Sequence, residues 1–174
     1  MQTAEWEQRM AEAWASLDGR DEAEFLALIE KLVEELPPDD PDGLFERAAA
    51  LDSTGHSDLA VPLYEAALAT GATGERRRRA VIQMASSLRN LDRSQESVAL
   101  LTAELKQPSD HLEDAAKAVL ALALADVGRE REAVSIAVGA LAAHLPRYQR
   151  SMANYARALV EPDPAANPET DVHD

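Results

Sequence analysis

Three stretches of the chain share one pattern of residues, and this repetition limits the possible folds more than any other feature of the sequence. The stretches are residues 44–68, 81–105 and 117–141. Each contains a turn residue with alanine seven positions before it, leucine four positions before it, a small residue five positions after it and leucine thirteen positions after it. The turn residues are Gly55, Asp92 and Gly128, so the pattern recurs after 37 and then 36 residues. A repeat of this length predicts stacked copies of one supersecondary unit.

The small residues at the matched positions indicate helices that pack closely in pairs. The small residues are Ala48, Ala60, Ala85, Ser97, Ala121 and Ala133, and the leucines are Leu51, Leu68, Leu88, Leu105, Leu124 and Leu141. Small side chains let two backbones approach each other, while the leucines fill the space toward the next pair. Each unit is therefore predicted to be an antiparallel helical hairpin.

Helix start and stop signals extend this prediction to most of the chain. Asp21 and Asp110 each precede a glutamate by three residues, the spacing of a capping box, and Asp40 before Pro41 suits an N-cap followed by a first helical residue. We predict nine helices, at about residues 4–17, 21–35, 41–53, 57–70, 75–91, 94–106, 110–127, 130–144 and 147–160. The short connections require successive helices to be antiparallel.

The repeated pattern resembles the tetratricopeptide repeat (TPR), whose period is about 34 residues. The resemblance covers residues 41–145 and is good at the small and leucine positions. It departs where the family often has tryptophan early in the first helix, since this chain has Leu44, Val81 and Lys117, and Glu104 stands where alanine is usual. The resemblance implies an all-α, right-handed solenoid of antiparallel helix pairs, similar to small stand-alone bacterial TPR proteins. Such proteins are non-enzymatic, bind other proteins and can dimerise.

The remaining residues extend the repeats at both ends. We expect a single helical domain over residues 1–160, with a degenerate N-terminal capping hairpin at 1–38, three repeats at 41–145 and a C-terminal capping helix at 147–160. Residues 161–174 contain three prolines and almost no large apolar side chain, so we predict a disordered acidic tail there.

The composition excludes several kinds of chemistry. The chain has no cysteine, so it can form neither a disulfide nor a thiolate metal site, and its four histidines are scattered. It has no glycine-rich phosphate loop and no serine in the setting of a nucleophile elbow. We therefore expect no catalytic residue, no metal and no cofactor.

The net charge of −15 is unevenly distributed. Residues 1–42 hold thirteen acids and three bases, whereas residues 43–160 hold fourteen of each. An acidic chain repels phosphate backbones, which argues against nucleic acids and anionic membranes as general partners. No stretch approaches the roughly 18 apolar residues of a membrane span, and the first ten residues lack the apolar run of a signal peptide. We expect a cytoplasmic protein.

The sharpest local feature is the run of four arginines at residues 76–79. On a helical wheel, the polar side chains that follow lie on one side of the helix and the apolar side chains lie on the opposite side. In a stack of hairpins the first helix of each pair lines the concave surface, so this polar side would contact a bound peptide or partner segment. The predicted primary contacts are Arg79, Gln83, Ser86 and Asn90, with Arg76 and Arg89 as supporting contacts.

Two alternatives remain open for these arginines. They can form ion pairs with the acidic first 42 residues, either within the chain or with a second copy in a structural homodimer. They can also make a weak local contact with nucleic acid, since helical repeats can read RNA.

The seventh predicted helix is apolar nearly all round, which predicts burial on every side. The three repeats leave Val119 and Leu122 uncovered. Either the ninth helix folds back over them, or a second copy covers them, or a ligand does. The residues of this candidate dimer face or apolar groove are Val119, Leu122, Tyr148, Met152 and Tyr155.

Overall fold

The computed structural model describes residues 3–161, and these form nine α-helices and one short 3-10 helix, without a β-strand. The α-helices, numbered α1 to α9, are Ala4–Ala15, Glu22–Val33, Pro41–Ser53, Ser57–Ala69, Gly74–Asn90, Ser94–Glu104, Glu113–Asp126, Glu130–Ala142 and Gln149–Ala158, and the 3-10 helix is Leu17–Gly19. The nine predicted helices are therefore confirmed, with ends that differ by at most three residues. The tail predicted at 161–174 lies, beyond Glu161, outside the described residues.

Side chains cap two helices as the sequence predicts. The Asp21 carboxylate accepts a hydrogen bond from the backbone N–H three residues further on, at 2.9 Å. Asp40 accepts from the N–H groups two and three residues further on, and Pro41 is the first helical residue of α3. Each cap satisfies backbone donors that have no partner inside the helix.

The capping box predicted at Asp110 is wrong. Its carboxylate accepts from the N–H of Leu112 at 2.9 Å, and α7 begins only at Glu113. The other carboxylate oxygen of Asp110 lies 3.2 Å from Nε of Arg78, on α5. Asp110 therefore stabilises a turn before the helix and an ion pair to a neighbouring unit.

The turn inside each repeat places one residue in the left-handed backbone region. The φ angles are 91° at Gly55, 59° at Asp92 and 76° at Gly128. Glycine adopts this conformation without the steric cost of a Cβ, and aspartate is one of the few other residues that tolerate it. The middle repeat thus keeps the same turn without a glycine.

The matched small residues lie where the helices of the stack meet, and all six are buried. Neighbouring first helices contact each other, α3 with α5 and α5 with α7, whereas no comparable contact joins the second helices of the described part. The stack therefore curves toward its first helices. We call their open side the inner face.

The hairpin of α1 and α2 has its own apolar core, made largely by Trp6, Met10, Phe25 and Ile29. Nε1 of Trp6 donates a hydrogen bond to the carbonyl of Leu32 at 2.8 Å, which holds the two helices together. The core also includes a buried alanine of α3. That this hairpin acts as a cap remains a prediction.

The third repeat is more open than the first two. Leu68 and Leu105 pack against buried core residues, but Leu141, at the same offset from its turn, is 54% exposed. The ninth helix packs against α8. None of the described helices has both the length and the apolar character that a membrane crossing requires.

Candidate partner-binding face

The arginine run begins with a residue that ties three helices together. Arg76 makes two hydrogen bonds to the Glu7 carboxylate of α1, at 2.9 and 2.7 Å, and one to Glu46 of α3, at 3.0 Å. Glu46 is buried and also accepts from Nε1 of Trp14 at 2.7 Å. The hydrogen bonds from Arg76 lower the pKa of Glu7. The acidic N-terminal region is thus an ion-pair partner of this arginine within the same chain.

The next two arginines are both bound to Glu104 of α6. Arg77 and Arg78 reach its carboxylate at 2.6 and 2.8 Å, and Arg78 is only 4% exposed. Burial raises the pKa of Glu104, but the hydrogen bonds from the two arginines outweigh that effect and leave it below its ordinary value. A buried guanidinium requires a carboxylate beside it, which explains why position 104 holds glutamate and not the alanine usual in the repeat.

Arg79 differs from the other three, because no described carboxylate forms an ion pair with it. Its guanidinium carbon lies 5.0 Å from the centroid of the Phe45 ring on α3, in a cation–π contact. The side chain is partly exposed. Its hydrogen-bonding groups are therefore open to a partner.

From Arg79 onward, five positions of α5 are not buried, and they form the stripe that the helical wheel predicts. They are Arg79, Gln83, Ser86, Arg89 and Asn90. Oε1 of Gln83 is buried and receives no hydrogen bond from the described residues. Asn90 donates to the hydroxyl of Ser57 at 3.2 Å.

Sequence reasoning missed a polar cluster behind this stripe. The hydroxyl of Ser87, fully buried, donates to the Asp52 carboxylate at 2.6 Å, and the Tyr64 hydroxyl lies 3.5 Å from the same group. Burial raises the pKa of Asp52, although the hydrogen bonds act in the opposite direction. Ser87 is next to the predicted contact Ser86 but on the other side of the helix, and only the packed structure pairs it with α3.

Arg89 connects the middle repeat to the third. Its Nε donates to the Asp126 carboxylate at 2.6 Å, which links α5 to α7. The hydrogen bond lowers the pKa of Asp126. Arg89 therefore holds two neighbouring helices of the inner face in register.

The inner side of α7 is apolar. Its exposed positions include Ala115, Ala118, Leu122 and Ala125, and Leu122 is 52% exposed. Val119 is half-buried and packs against the core of the second and third repeats. Cover by the ninth helix, one of the three predicted alternatives, is wrong for Leu122, because α9 packs on α8 and leaves this side of α7 open in the described part of the chain.

The residues predicted to form one dimer face or apolar groove are divided between two surfaces. Tyr148, Met152 and Tyr155 line a groove at the C-terminal end of the stack together with Leu141 and Leu145, and neither Val119 nor Leu122 belongs to it. The separation follows from the position of α9, which packs against α8 and does not continue the row of first helices along the inner face.

A family model for the tetratricopeptide repeat matches residues 41–159, from the first residue of α3 to one residue past the end of α9. The chain belongs to the tetratricopeptide repeat family. No curated protein and no solved structure matches it at a significant level.

Membership of the TPR family sets the general kind of activity. TPR proteins mediate protein–protein interactions and are typically non-enzymatic scaffolds. Within residues 3–161, no three histidine, aspartate or glutamate side chains are grouped so as to hold a metal ion. The inner face, with its polar stripe on α5 and its apolar side on α7, is the surface to examine for a protein partner.

Proposed function

We propose that this TPR protein binds an extended, acidic segment of a partner protein along its inner face, between α5 and α7. The strongest support comes from the ion pairing of the four arginines at residues 76–79. Arg76, Arg77 and Arg78 are in ion pairs with carboxylates of the chain, while Arg79 has none among the described residues. A carboxylate of the partner would satisfy it with two hydrogen bonds.

The other primary contacts would recognise the backbone of the segment. Gln83 and Ser86 are partly exposed and Asn90 is exposed, so their amide and hydroxyl groups can reach the backbone of a bound segment. The stripe spans twelve residues of α5, a rise of about 16 Å from the first to the last, which fits about five residues of extended chain. Val119 and Leu122 would contact its apolar side chains.

Arg76 and Arg89 act as supporting contacts in this proposal. Both are already engaged, Arg76 with Glu7 and Arg89 with Asp126, so their first effect is to fix α5 against its neighbours. Their charge is balanced by these carboxylates, so Arg79 supplies the positive charge of the stripe that is free for a partner. The proposal also keeps the predicted cytoplasmic location, the absence of catalysis and the single domain with its two caps.

The two alternatives are less well supported. In a homodimer the arginine helix would dock on the acidic region of its mate, but Glu7 and Asp42 of that region already pair with Arg76 within one chain. A nucleic-acid contact would need a basic patch, but three of the four arginines are neutralised by nearby carboxylates. We therefore favour the protein segment.

The proposal can be tested with an array of extended peptides that carry an internal acid or a free terminal carboxylate. The full chain is expected to bind a subset of them, and the double variant Arg79→Ala/Asn90→Ala to lose at least about tenfold in affinity, or 1.4 kcal/mol. Arg129→Ala is the control, since Arg129, just before α8, pairs among the described residues with the exposed Glu132 alone. Equal binding by the wild type and the double variant would show that the inner-face assignment is wrong.

A further inference from the structure

The C-terminal end of the stack has an apolar groove that the proposed function does not use. It lies between the end of α8 and the start of α9, has a volume of about 690 Å³ and is lined by Leu141, Leu145, Pro146, Arg147, Tyr148, Ser151, Met152 and Tyr155. Three of its large apolar residues are more than half exposed, namely Leu141 at 54%, Tyr148 at 75% and Tyr155 at 67%. So many open apolar side chains in one place are typical of an interaction surface.

The repeat pattern shows what kind of element is missing from this groove. In the first repeat Leu68 borders a surface pocket together with Val81 of α5 and Leu100 of α6, so it lies beside both helices of the next unit. Leu141 occupies the same offset in the third repeat. Next to it α9 packs on α8 as α5 packs on α4, but the described chain supplies no second helix. The groove thus has the position of one absent helix.

The backbone at Tyr148 supports a functional role for the groove. Tyr148 has a φ of 69°, in the left-handed region that a bulky aromatic residue rarely adopts. This conformation does not bury the ring, which is the most exposed large apolar side chain of the described residues. Strain that gains no packing within the chain is typical of binding sites.

The charges around the groove select the partner. Arg147 and Arg150 are exposed and form neither a hydrogen bond nor an ion pair with the described residues, and α9 contains no acidic residue. No acid lines the groove. In a chain with a net charge of −15 this is a local basic surface around an apolar centre. It complements an amphipathic helix whose apolar ridge is flanked by glutamates or aspartates.

We propose that the groove between α8 and α9 binds an acidic amphipathic helix of a partner protein, which takes the place of the missing second helix of a fourth repeat. A second copy is a poorer occupant, because pairing two α9 helices would bring Arg147 and Arg150 of both copies together around an apolar contact. The length of α9, ten residues or about 15 Å, matches about three turns of the partner helix. This surface is separate from the inner face and does not depend on the function proposed there.

Two synthetic helical peptides of fourteen residues test the proposal by fluorescence anisotropy with the full chain. Both carry the same ridge of leucine and phenylalanine, flanked by glutamate in one peptide and by lysine in the other. The glutamate peptide is expected to bind at least tenfold more tightly, and its binding is expected to weaken as salt is raised. The variant Leu141→Asp is expected to abolish binding. Val134→Asp is the matched control, since Val134 is 49% exposed on α8 but does not line the groove.

Several results would overturn the proposal. Equal binding of the two peptides would remove the charge argument, and equal loss in Leu141→Asp and Val134→Asp would remove the site. Should Leu141→Asp not fold, Tyr155→Ala replaces it, because Tyr155 is 67% exposed.

Three further results would assign a different occupant or site. If the protein self-associates in sedimentation and the groove variant abolishes this, the surface binds a second copy. Binding that appears only after removal of residues 162–174 would assign it to the chain's own end. Loss of glutamate-peptide binding in Arg79→Ala would place the peptide on the inner face.

Discussion

At the scale of single residues, buried charges in this protein are paired with charges from other helices. Glu46, Arg78 and Glu104 are each at most 4% exposed, and each lies within 3.0 Å of an oppositely charged group. Removing one member of such a pair takes a counter-charge away from a buried group, which costs more than the loss of an exposed ion pair. These pairs therefore determine which substitutions the repeats tolerate.

Replacing Glu104 by alanine, the usual residue of the family, is expected to destabilise this protein. Glu104→Ala should lower the free energy of unfolding by about 3 kcal/mol, because Arg78 stays buried and keeps Asp110, at 3.2 Å, as its remaining counter-charge among the described residues. The double variant Arg78→Met/Glu104→Ala should recover most of this loss. Urea unfolding followed by circular dichroism measures the stability of both variants. The control is Glu132→Ala, which breaks an exposed ion pair and should change the free energy of unfolding by less than about 1 kcal/mol. A single variant as stable as this control would contradict the account.

Asp52 gives a prediction about how stability depends on pH. Its pKa is raised in the folded state by burial, so the folded protein binds a proton more readily than the unfolded chain, and the ionised carboxylate reduces stability at neutral pH. Asp52→Asn keeps an acceptor for Ser87 and removes this cost. The variant should be more stable than the wild type at pH 7, and the difference should shrink as the pH falls through the raised pKa of Asp52. Thermal unfolding at several pH values measures it, and a difference that grows toward low pH would be inconsistent with a raised pKa.

At the scale of helices, the spacing between them depends on the small residues of the repeat. Ala85 is fully buried within the core of the second and third repeats. Ala85→Leu would force neighbouring helices apart and should cost about 1–3 kcal/mol or more. Ala99→Leu on the exposed side of α6 is the control and should stay within about 0.5 kcal/mol of the wild type. Equal stability of the two variants would mean that the matched alanines do not set the packing.

The helices themselves could be predicted from the sequence because their signals are local. The turn at Gly55, the caps at Asp21 and Asp40 and the apolar spacing each depend on residues within about one turn of helix. The exception is Asp110, where an arginine 32 residues earlier in the chain competes for the carboxylate. A capping pattern predicts the element correctly as long as no distant charge attracts the capping side chain.

The candidate site could be predicted only in part. The wheel places Arg79, Gln83 and Ser86 on one face of α5, since that depends on helical spacing alone. It does not show that Arg76 pairs with Glu7, 69 residues away, or that Glu104 binds two arginines. These contacts depend on how units stack, and they distinguish Arg79 from its three neighbours.

At the scale of the whole molecule, the N-terminal hairpin is joined to the repeats by packing of α2 on α3 and by polar contacts from α1 to α3 and α5. Arg76 and Glu46 carry the bonds that reach Glu7 and Trp14 of α1. Arg76→Ala should therefore increase backbone hydrogen exchange in α1 more than in α7, because this hairpin would open locally without unfolding the stack. Mass spectrometry of the exchanged peptides measures it, with Arg129→Ala as the control. A uniform increase along the chain would show that Arg76 supports the whole fold instead.

The location of the partner on the curved stack is the central claim, and site-specific photo-cross-linking in extracts of the cells that make this protein tests it most directly. A photoreactive amino acid replaces Leu122, which is 52% exposed on the inner side of α7, or Leu59, which is 53% exposed on the second helix of the first repeat. The account predicts a protein cross-linked from position 122 that is lost in the Arg79→Ala/Asn90→Ala background and absent from position 59. Cross-linking from position 59 alone, or from position 122 without any effect of the double variant, would contradict it.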